Sequence, residues 1–163
     1  MKKTINYAFI DANNLIFGLK QEGWKINYKK FIIFLRDKYR VKKTFWFLGY
    51  ISKNENFYKK LKNVGFELIF KKIVKDKTGK IKGNIDSLLI VKCFRELEFF
   101  DKAILISGDG DFEPLINFLI EKNKFEKLIL PNKKSKSCLL NKHEEFFLFL
   151  SSLKKKLQYK NVG

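Results

Sequence analysis

The residues of this chain most suited to chemistry are aspartates that directly follow short apolar runs. Asp11 closes the run Ile5 to Ile10 within FIDANN, with Asn14 three residues further on. Asp109 and Asp111 follow Ala103 to Ile106 within ISGDGD, after Ser107 and Gly108, and Asp86 stands in KGNIDSLLI. Carboxylates at the ends of buried strands invite a divalent cation. Like charges a few ångströms apart are costly unless a proton or cation is shared. Mg²⁺ and Mn²⁺ take oxygen ligands, usually one or two carboxylates completed by water and phosphate. Each acid also has a plainer reading. Asp86 suits the positive end of a helix dipole, and Asp109 and Asp111 suit a glycine-rich turn that caps the next helix. The GDGD turn alone is a weak signal, and its conjunction with Asp11-x-x-Asn14 strengthens it.

The elements that must position these acids alternate along the chain. Ile5 to Ile10, Thr44 to Leu48, Glu67 to Phe70, Ala103 to Ile106 and Lys127 to Leu130 are apolar runs dense in β formers, predicted as buried strands. Between them lie segments of helical period. One is capped by Asn27, one by Asn54 and ends before Gly65, and two span Asn84 to Phe99 and Phe112 to Lys122, with Pro114 in the first turn of the latter. This alternation predicts an α/β fold, a three-layer α/β/α sandwich around a mainly parallel, five-stranded sheet, for which the order 3-2-1-4-5 is assumed. In such sheets sites form at the carboxyl ends of strands, where the strand order reverses. With that order, Asp11 and Asp109 face each other across the crevice. Lys71 to Lys82 reads as a hairpin or loop turning at Lys77 to Gly79. A last helix is expected over Asn141 to Leu157, with Asn141 and Glu144 at capping-box spacing and lysines at its end. The expected organisation is one domain over 1–157 and a short C-terminal tail over 158–163, frayed from Tyr159 to Gly163.

Composition narrows the function classes. The 163 residues carry 35 Lys plus Arg against 17 Asp plus Glu, a formal charge of +18, and the pI is about 9.8. Such a field attracts polyanions, although a Lys-, Ile-, Asn- and Phe-rich chain also reflects an AT-rich genome. Cys93 and Cys138 show no CxxC spacing and His143 is the single histidine, which excludes a zinc site of Cys and His ligands. Both cysteines read as reduced thiols. His143 reads as a surface residue on the last helix. The apolar run before Asp11 is too short for a signal peptide or membrane span, so a cytoplasmic protein without membrane attachment is expected.

The motifs resemble those of the NYN domain of the PIN-like nucleases, including its LabA-like bacterial members. AFIDANNLIFG looks like that family's first motif. KGNIDSLLI resembles its Lys-Gly-x-x-Asp segment, and AILISGDGDFEPLINFLIEKN is similar to its Ser-Gly-Asp-x-Asp-Phe-x-Pro-Leu signature. The resemblance runs from about Tyr7 to Leu150. It implies that Asp11, Asp86 and Asp109 are metal ligands and that Asp111 is a fourth acid, reaching the ion directly or through water. Asn14 is implied to position the Asp11 loop or the scissile phosphate, and Ser107 to hydrogen-bond a neighbouring carboxylate or phosphate from behind. The implied activity is an endoribonuclease using Mg²⁺ or Mn²⁺ and activated water, leaving 5′-phosphate and 3′-hydroxyl ends. One departure stands out: many relatives carry further acids after the Asp86 motif, where this chain has Leu88 and Lys92.

On that reading the lysines around the cleft would hold RNA: Lys20 and Lys25 after the first motif, Lys71, Lys72 and Lys82 in the arm, and Lys133, Lys134 and Lys136 after the fifth strand. Trp24 and Tyr50 are candidates to stack on unpaired bases or, equally, to pack in the protein. Three rivals stay open: an RNA-binding module with weak or no turnover, a nuclease acting on DNA, and a phosphatase. The last expects its Asp pair after the first strand. A homodimer also stays open.

Overall fold

In the computed structural model, residues 3–160 are described except 73 and 83, and nothing is described of the side chains of 81 and 82. Strand β1 (Asn6–Asp11) is buried along its whole length, as a strand covered on both faces must be. Around it form β2 (Val41–Gly49), β3 (Glu67–Lys71), β6 (Lys102–Ile106), β7 (Phe125–Leu130) and β8 (Phe147–Phe149). They make one six-stranded sheet of order β3-β2-β1-β6-β7-β8, and every pairing in it is parallel. The expected five-strand order is kept, with a sixth strand added at one edge. The short strands β4 (Val74–Lys75) and β5 (Ile81–Lys82) pair as an antiparallel hairpin. Its turn is organised by the Asp76 carboxylate, which accepts hydrogen bonds from the backbone of Thr78 and Lys80.

Alternation along β1 separates two cores. Ile10 faces one side with Trp46, Ile106 and Ile129, covered by α1 (Ala12–Gln21), α2 (Tyr28–Tyr39), α3 (Glu55–Val64) and α6 (Lys154–Leu157). Phe9 faces the other with Phe45, Phe47 and Leu105, covered by α4 (Asp86–Arg95) and α5 (Glu113–Glu121). On that second face Phe9 stacks on Phe45 at 5.4 Å and on Phe47 at 6.4 Å between ring centroids. Asn27 caps α2 as expected, its side chain accepting from the Lys30 amide at 3.0 Å. Asn54 caps nothing with its side chain. It lies in a 3₁₀ turn that leads into α3, which ends at Gly65 with φ of 119°.

Four expectations are corrected. Helix α1, missed in the sequence, begins directly at the end of β1. The segment expected to be one final helix divides into a 3₁₀ stretch (Cys138–Phe146), strand β8, a 3₁₀ turn (Leu150–Leu153) and the short α6. The reason is visible in β8 itself: Phe147 and Phe149 pack against one core while Leu148 packs against the other, a period of two that pairs with β7 from Leu128 to Leu130. His143 is buried at 6% exposure and not on a helix surface. The tail starts anchored, because Gln158 bridges to Ile26 and the Tyr159 amide donates to the Lys25 carbonyl at 2.8 Å. Residues 161–163 lie outside the described residues. Among the described residues no helix is long and apolar enough to cross a membrane.

The start of the central strand is tied on both sides by one buried side chain. The Asn6 amide donates to the Tyr39 carbonyl at 2.7 Å and its oxygen accepts from the Lys102 amide at 3.0 Å. Replacing Asn6 by Leu leaves two backbone groups without partners in a buried place, and the expected loss is roughly 2 to 4 kcal/mol, read as the change in urea unfolding free energy.

Candidate functional site

The sheet reverses between β1 and β6, and both strands end at that point in polar residues. Asp11 is at once the last residue of β1 and the N-cap of α1. Its Oδ1 accepts from the Asn14 amide at 3.2 Å. Its Oδ2 accepts from the Ser107 hydroxyl at 3.1 Å, and the Ser107 oxygen in turn accepts from the Asp109 amide at 3.1 Å. The Asn14 side chain crosses the same gap, its oxygen accepting from the Gly108 amide at 2.8 Å. Asp109 Oδ1 then accepts from the Asp111 amide at 2.9 Å and starts the 3₁₀ turn Gly110–Phe112. Asp86 arrives from the other side as the first residue of α4, with its amide held by Asn84 Oδ1 at 2.8 Å. The Lys71 ammonium donates to the Asn84 carbonyl.

These connections bring Asp11, Asp86 and Asp109 together. One carboxylate oxygen from each lies within 4.8 Å of the others. Asp11 and Asp86 are buried, at 4% and 8% exposure, and Asp109 is half-buried. Burial pushes the Asp11 carboxyl up to about 6, against hydrogen bonds from Asn14 and Ser107 that favour its charge, with Asp86 and Asp109 adding repulsion. Burial also raises the Asp86 carboxyl; Asp109 and Asp111 repel its charge, while Lys71 favours it. Asp111 is exposed and lies outside the group of three, although its charge reaches Asp86.

The acid turn rests against the loop after β7. Ser137 donates its amide to the Gly108 carbonyl at 2.9 Å. A Cβ on Gly108 would lie 3.3 Å from Lys136 Cα, and one on Gly110 would run into the Ser137 side chain. Only glycine fits this contact without displacing the loop.

The lysines expected around the cleft are scattered. Lys71 reaches the Asp86 turn, whereas Lys72 is exposed beside the hairpin and the Lys82 side chain lies outside the described residues. Lys20 is exposed in the last turn of α1, and Lys25 lies exposed in the segment that holds the C-terminal strand end. Lys133 and Lys136 sit over the rings of Phe149 and Phe147, at 5.7 and 5.6 Å. Lys134 lines a cavity of about 620 Å³ between the end of α1, the loop after β7 and the 3₁₀ turn before α6, and none of the acids lines it. Trp24 is too buried, at 6% exposure, to offer a face to a base. Tyr50 is exposed, but its hydroxyl bonds Glu55 and its ring packs on Tyr58 and Phe70. Burial lifts the Cys93 thiol to about 12, so it stays protonated.

Two structural contributors escaped the sequence reading. Asn84, two residues before Asp86, fits the local side-chain-to-backbone pattern of Asn at helix starts. Asn132, after Pro131, ties the loop to α1 by donating to the Gly18 carbonyl at 3.2 Å. The turn signal was present there, but its partner lies too far along the chain to be read.

Against known proteins, the NYN domain family matches residues 7–151. The chain belongs to the NYN domain family. It is 24% identical over 121 residues to the low amplitude and bright protein LabA of Synechococcus elongatus; the match takes in 68% of this chain and 65% of LabA, so it spans just under two thirds of that relative. Among solved structures, a protein of unknown function from Vibrio parahaemolyticus superposes with a TM-score of 0.79 at 20% identity, covering 98% of this chain and all of that one. The T5 5′-exonuclease, solved with zinc bound, superposes with a TM-score of 0.52 at 15% identity over 86% of this chain and 61% of the exonuclease. The fold is therefore an α/β fold similar to that of the T5 5′-exonuclease, with a cluster of acids at its switch point. On α4, the Lys92 ammonium pairs with Glu96 at 2.7 Å and lies 5.0 Å from the centre of the Phe45 ring.

A folded-state pKa near 6 against an ordinary 3.8 means that the fold prefers protonated Asp11. That stabilising contribution is complete below 3.8 and lost as pH rises through about 6. In metal-free protein at neutral pH, Asp11→Asn is thus expected to raise the unfolding free energy by up to about 3 kcal/mol. The gain should fade as the pH is lowered to about 4. Thermal unfolding in EDTA across this range checks it, and a gain that is independent of pH contradicts the assignment.

Proposed function

We propose that this NYN domain is an endoribonuclease that hydrolyses RNA phosphodiesters with Mg²⁺ or Mn²⁺ held by Asp11, Asp86 and Asp109. The observation that carries the reading is the meeting of these three carboxylates within 4.8 Å, two of them buried. The donor set fits a hard cation, because all three atoms are carboxylate oxygens and no thiolate or imidazole belongs to the group. Metal binding by a related fold supports it, since zinc is bound to the T5 5′-exonuclease. The formal charge of +18 supports a polyanionic substrate.

In this reading the bound cation supplies Lewis acidity, favouring ionisation of water and offsetting charge on the phosphate. The protein does the positioning. Asn14 and Ser107 fix the Asp11 carboxylate and lock the β1 and β6 ends together through the Gly108 and Asp109 amides. Asn84 and Lys71 hold the start of α4 so that Asp86 faces the other acids. Water oxygen bonds to phosphorus as the bond to the 3′ oxygen breaks, and a proton goes to that oxygen, leaving 5′-phosphate and 3′-hydroxyl ends. Asp111, which is exposed, assists through water, and the chain's positive field draws the strand in.

A second reading, an RNA-binding module with weak or no turnover, is favoured by one observation: α4 offers no carboxylate to the site after Asp86, and Lys92 is engaged with Glu96.

Cleavage of single-stranded RNA in Mg²⁺ or Mn²⁺ is expected to stop in EDTA and to fall more than about a hundredfold in Asp109→Asn, since even outer partners of metal ligands are worth 10- to 100-fold. Asp111→Asn should cost distinctly less. Cleavage that persists in EDTA, or an unimpaired Asp109→Asn, sinks the metal mechanism; salt-sensitive binding without cleavage at any metal concentration leaves the second reading.

A further inference from the structure

The cavity between the end of α1 and the loop after β7 is the most built of the surface features that the proposed chemistry does not use. Its walls are fixed by a buried side chain. Asn132, 6% exposed, donates to the Gly18 carbonyl and the Gln21 side-chain oxygen, and accepts from the Lys134 amide at 2.8 Å and the Ser135 amide at 3.3 Å. The end of α1 and the loop after β7 are therefore held at a set separation. Close contact of Gly18 with Pro131 reinforces it, because a Cβ there would lie 2.8 Å from Pro131 Cβ.

The groups facing this space suit a nucleotide. Lys134 and Lys154 line it, and neither is in an ion pair among the described residues. Ser135 and Ser151 add hydroxyls, and Gln21, whose oxygen is taken by Asn132, adds an amide NH₂. Glu22 lines the space as well. One of its carboxylate oxygens accepts from the Trp24 indole at 3.4 Å, and the other is open to a donor. Two ammonium groups for a phosphate, an uncharged amide and hydroxyls for a base edge, and a carboxylate acceptor for ribose hydroxyls make a complete set. A ribose 2′-hydroxyl is a donor that deoxyribose lacks. The volume of about 620 Å³ falls within the range of small-molecule sites.

Its position relative to the acids is also set. Ser135 lines the cavity, and Ser137 donates its amide to Gly108 in the acid turn. Two residues of extended chain reach about 7 Å, and a stacked strand advances about 3.4 Å per nucleotide. The cavity thus lies within a few nucleotides' reach of the acid turn.

We infer that this cavity is a ribonucleotide subsite, which takes one nucleotide of the RNA strand a short distance from the cleavage point. The inference rests on the endoribonuclease reading for its substrate, but binding tests it without cleavage. Of the two tryptophans, Trp46 is 0% exposed in the core and Trp24 lines the cavity, so Trp24 emission reports occupancy.

A short single-stranded oligouridylate is titrated into the whole protein in EDTA, with affinity read from the anisotropy of a labelled strand and occupancy from tryptophan emission. Expected are a saturable emission change that Trp24→Phe removes, and affinity about tenfold or more weaker in Lys154→Glu and Ser151→Phe. Both substituted residues are exposed, and circular dichroism checks that the variants are folded. The deoxy counterpart should bind less tightly. No binding, binding without a change in Trp24 emission, wild-type affinity in Ser151→Phe, or equal affinity for the deoxy strand overturns the inference. If these results hold but the metal-loaded protein cleaves no RNA, the nuclease reading falls and the subsite stands; cleavage without a Trp24 signal gives the reverse.

Discussion

Everything at the active end of this fold is constrained by the electrostatic cost of holding three carboxylates within a few ångströms of one another in a poorly solvated place. Two of the three are buried, and burial is the leading reason that Asp11 and Asp86 resist ionisation. The offset comes partly from local donors, the Asn14 amide on Asp11 and the Asp111 amide on Asp109, and partly from distant parts of the chain, the Ser107 hydroxyl on Asp11 and the Lys71 charge near Asp86. These donors favour the charged forms but do not remove the strain. An arrangement that is unfavourable alone and becomes favourable with a cation is what a metal site needs to be selective for the loaded state.

That cost makes rigid scaffolding necessary, and the sheet provides it. The strands that deliver Asp11 and Ser107 are the two at the centre, paired in register from Asn6 with Lys102 to Ile10 with Ile106. Each is sealed by apolar side chains on both faces. A carboxylate at the end of such a strand can move little without breaking ladder hydrogen bonds. Asp86 is delivered differently, by a helix start whose backbone is held by Asn84, and the packing of Leu89 and Cys93 in the phenylalanine-rich core fixes the helix behind it. The acids thus come from three separate elements, and each is braced by its own part of the core.

Much of this was legible in the sequence because its strands carry a strong signal. Five apolar runs and the acids that follow two of them sufficed to put Asp11 and Asp109 at strand ends, and only the assumed 3-2-1-4-5 order made those strands neighbours. What was missed had weaker or conflicting signals. In α1, Asp11 serves as both site acid and N-cap, and it is followed by Asn13, Asn14 and Gly18, poor helix formers that hid the helix. Strand β8 has only three residues, and Asn141 and Glu144 around it imitate a helix cap, so only pairing with β7 defines it. His143 was read as exposed for the same reason. Asp111 stands two residues from Asp109, close enough in sequence to suggest a shared ion, yet the 3₁₀ turn between them leaves it exposed and outside the group.

The charge distribution also has a consequence for the order of events. The chain as a whole is strongly cationic, while the switch point is a pocket of buried carboxylates. The long-range field draws in a polyanion, but at close range a phosphate would meet three acids. Only a cation among them reverses the local sign. Under the proposed function, metal and substrate would favour each other's binding at this site through a direct electrostatic coupling, and the reciprocity of linkage requires the effect to be equal in both directions. The surrounding lysines do not substitute for the ion. Lys133 and Lys136 lie over the rings of Phe149 and Phe147, and Lys71 is engaged with the Asn84 carbonyl.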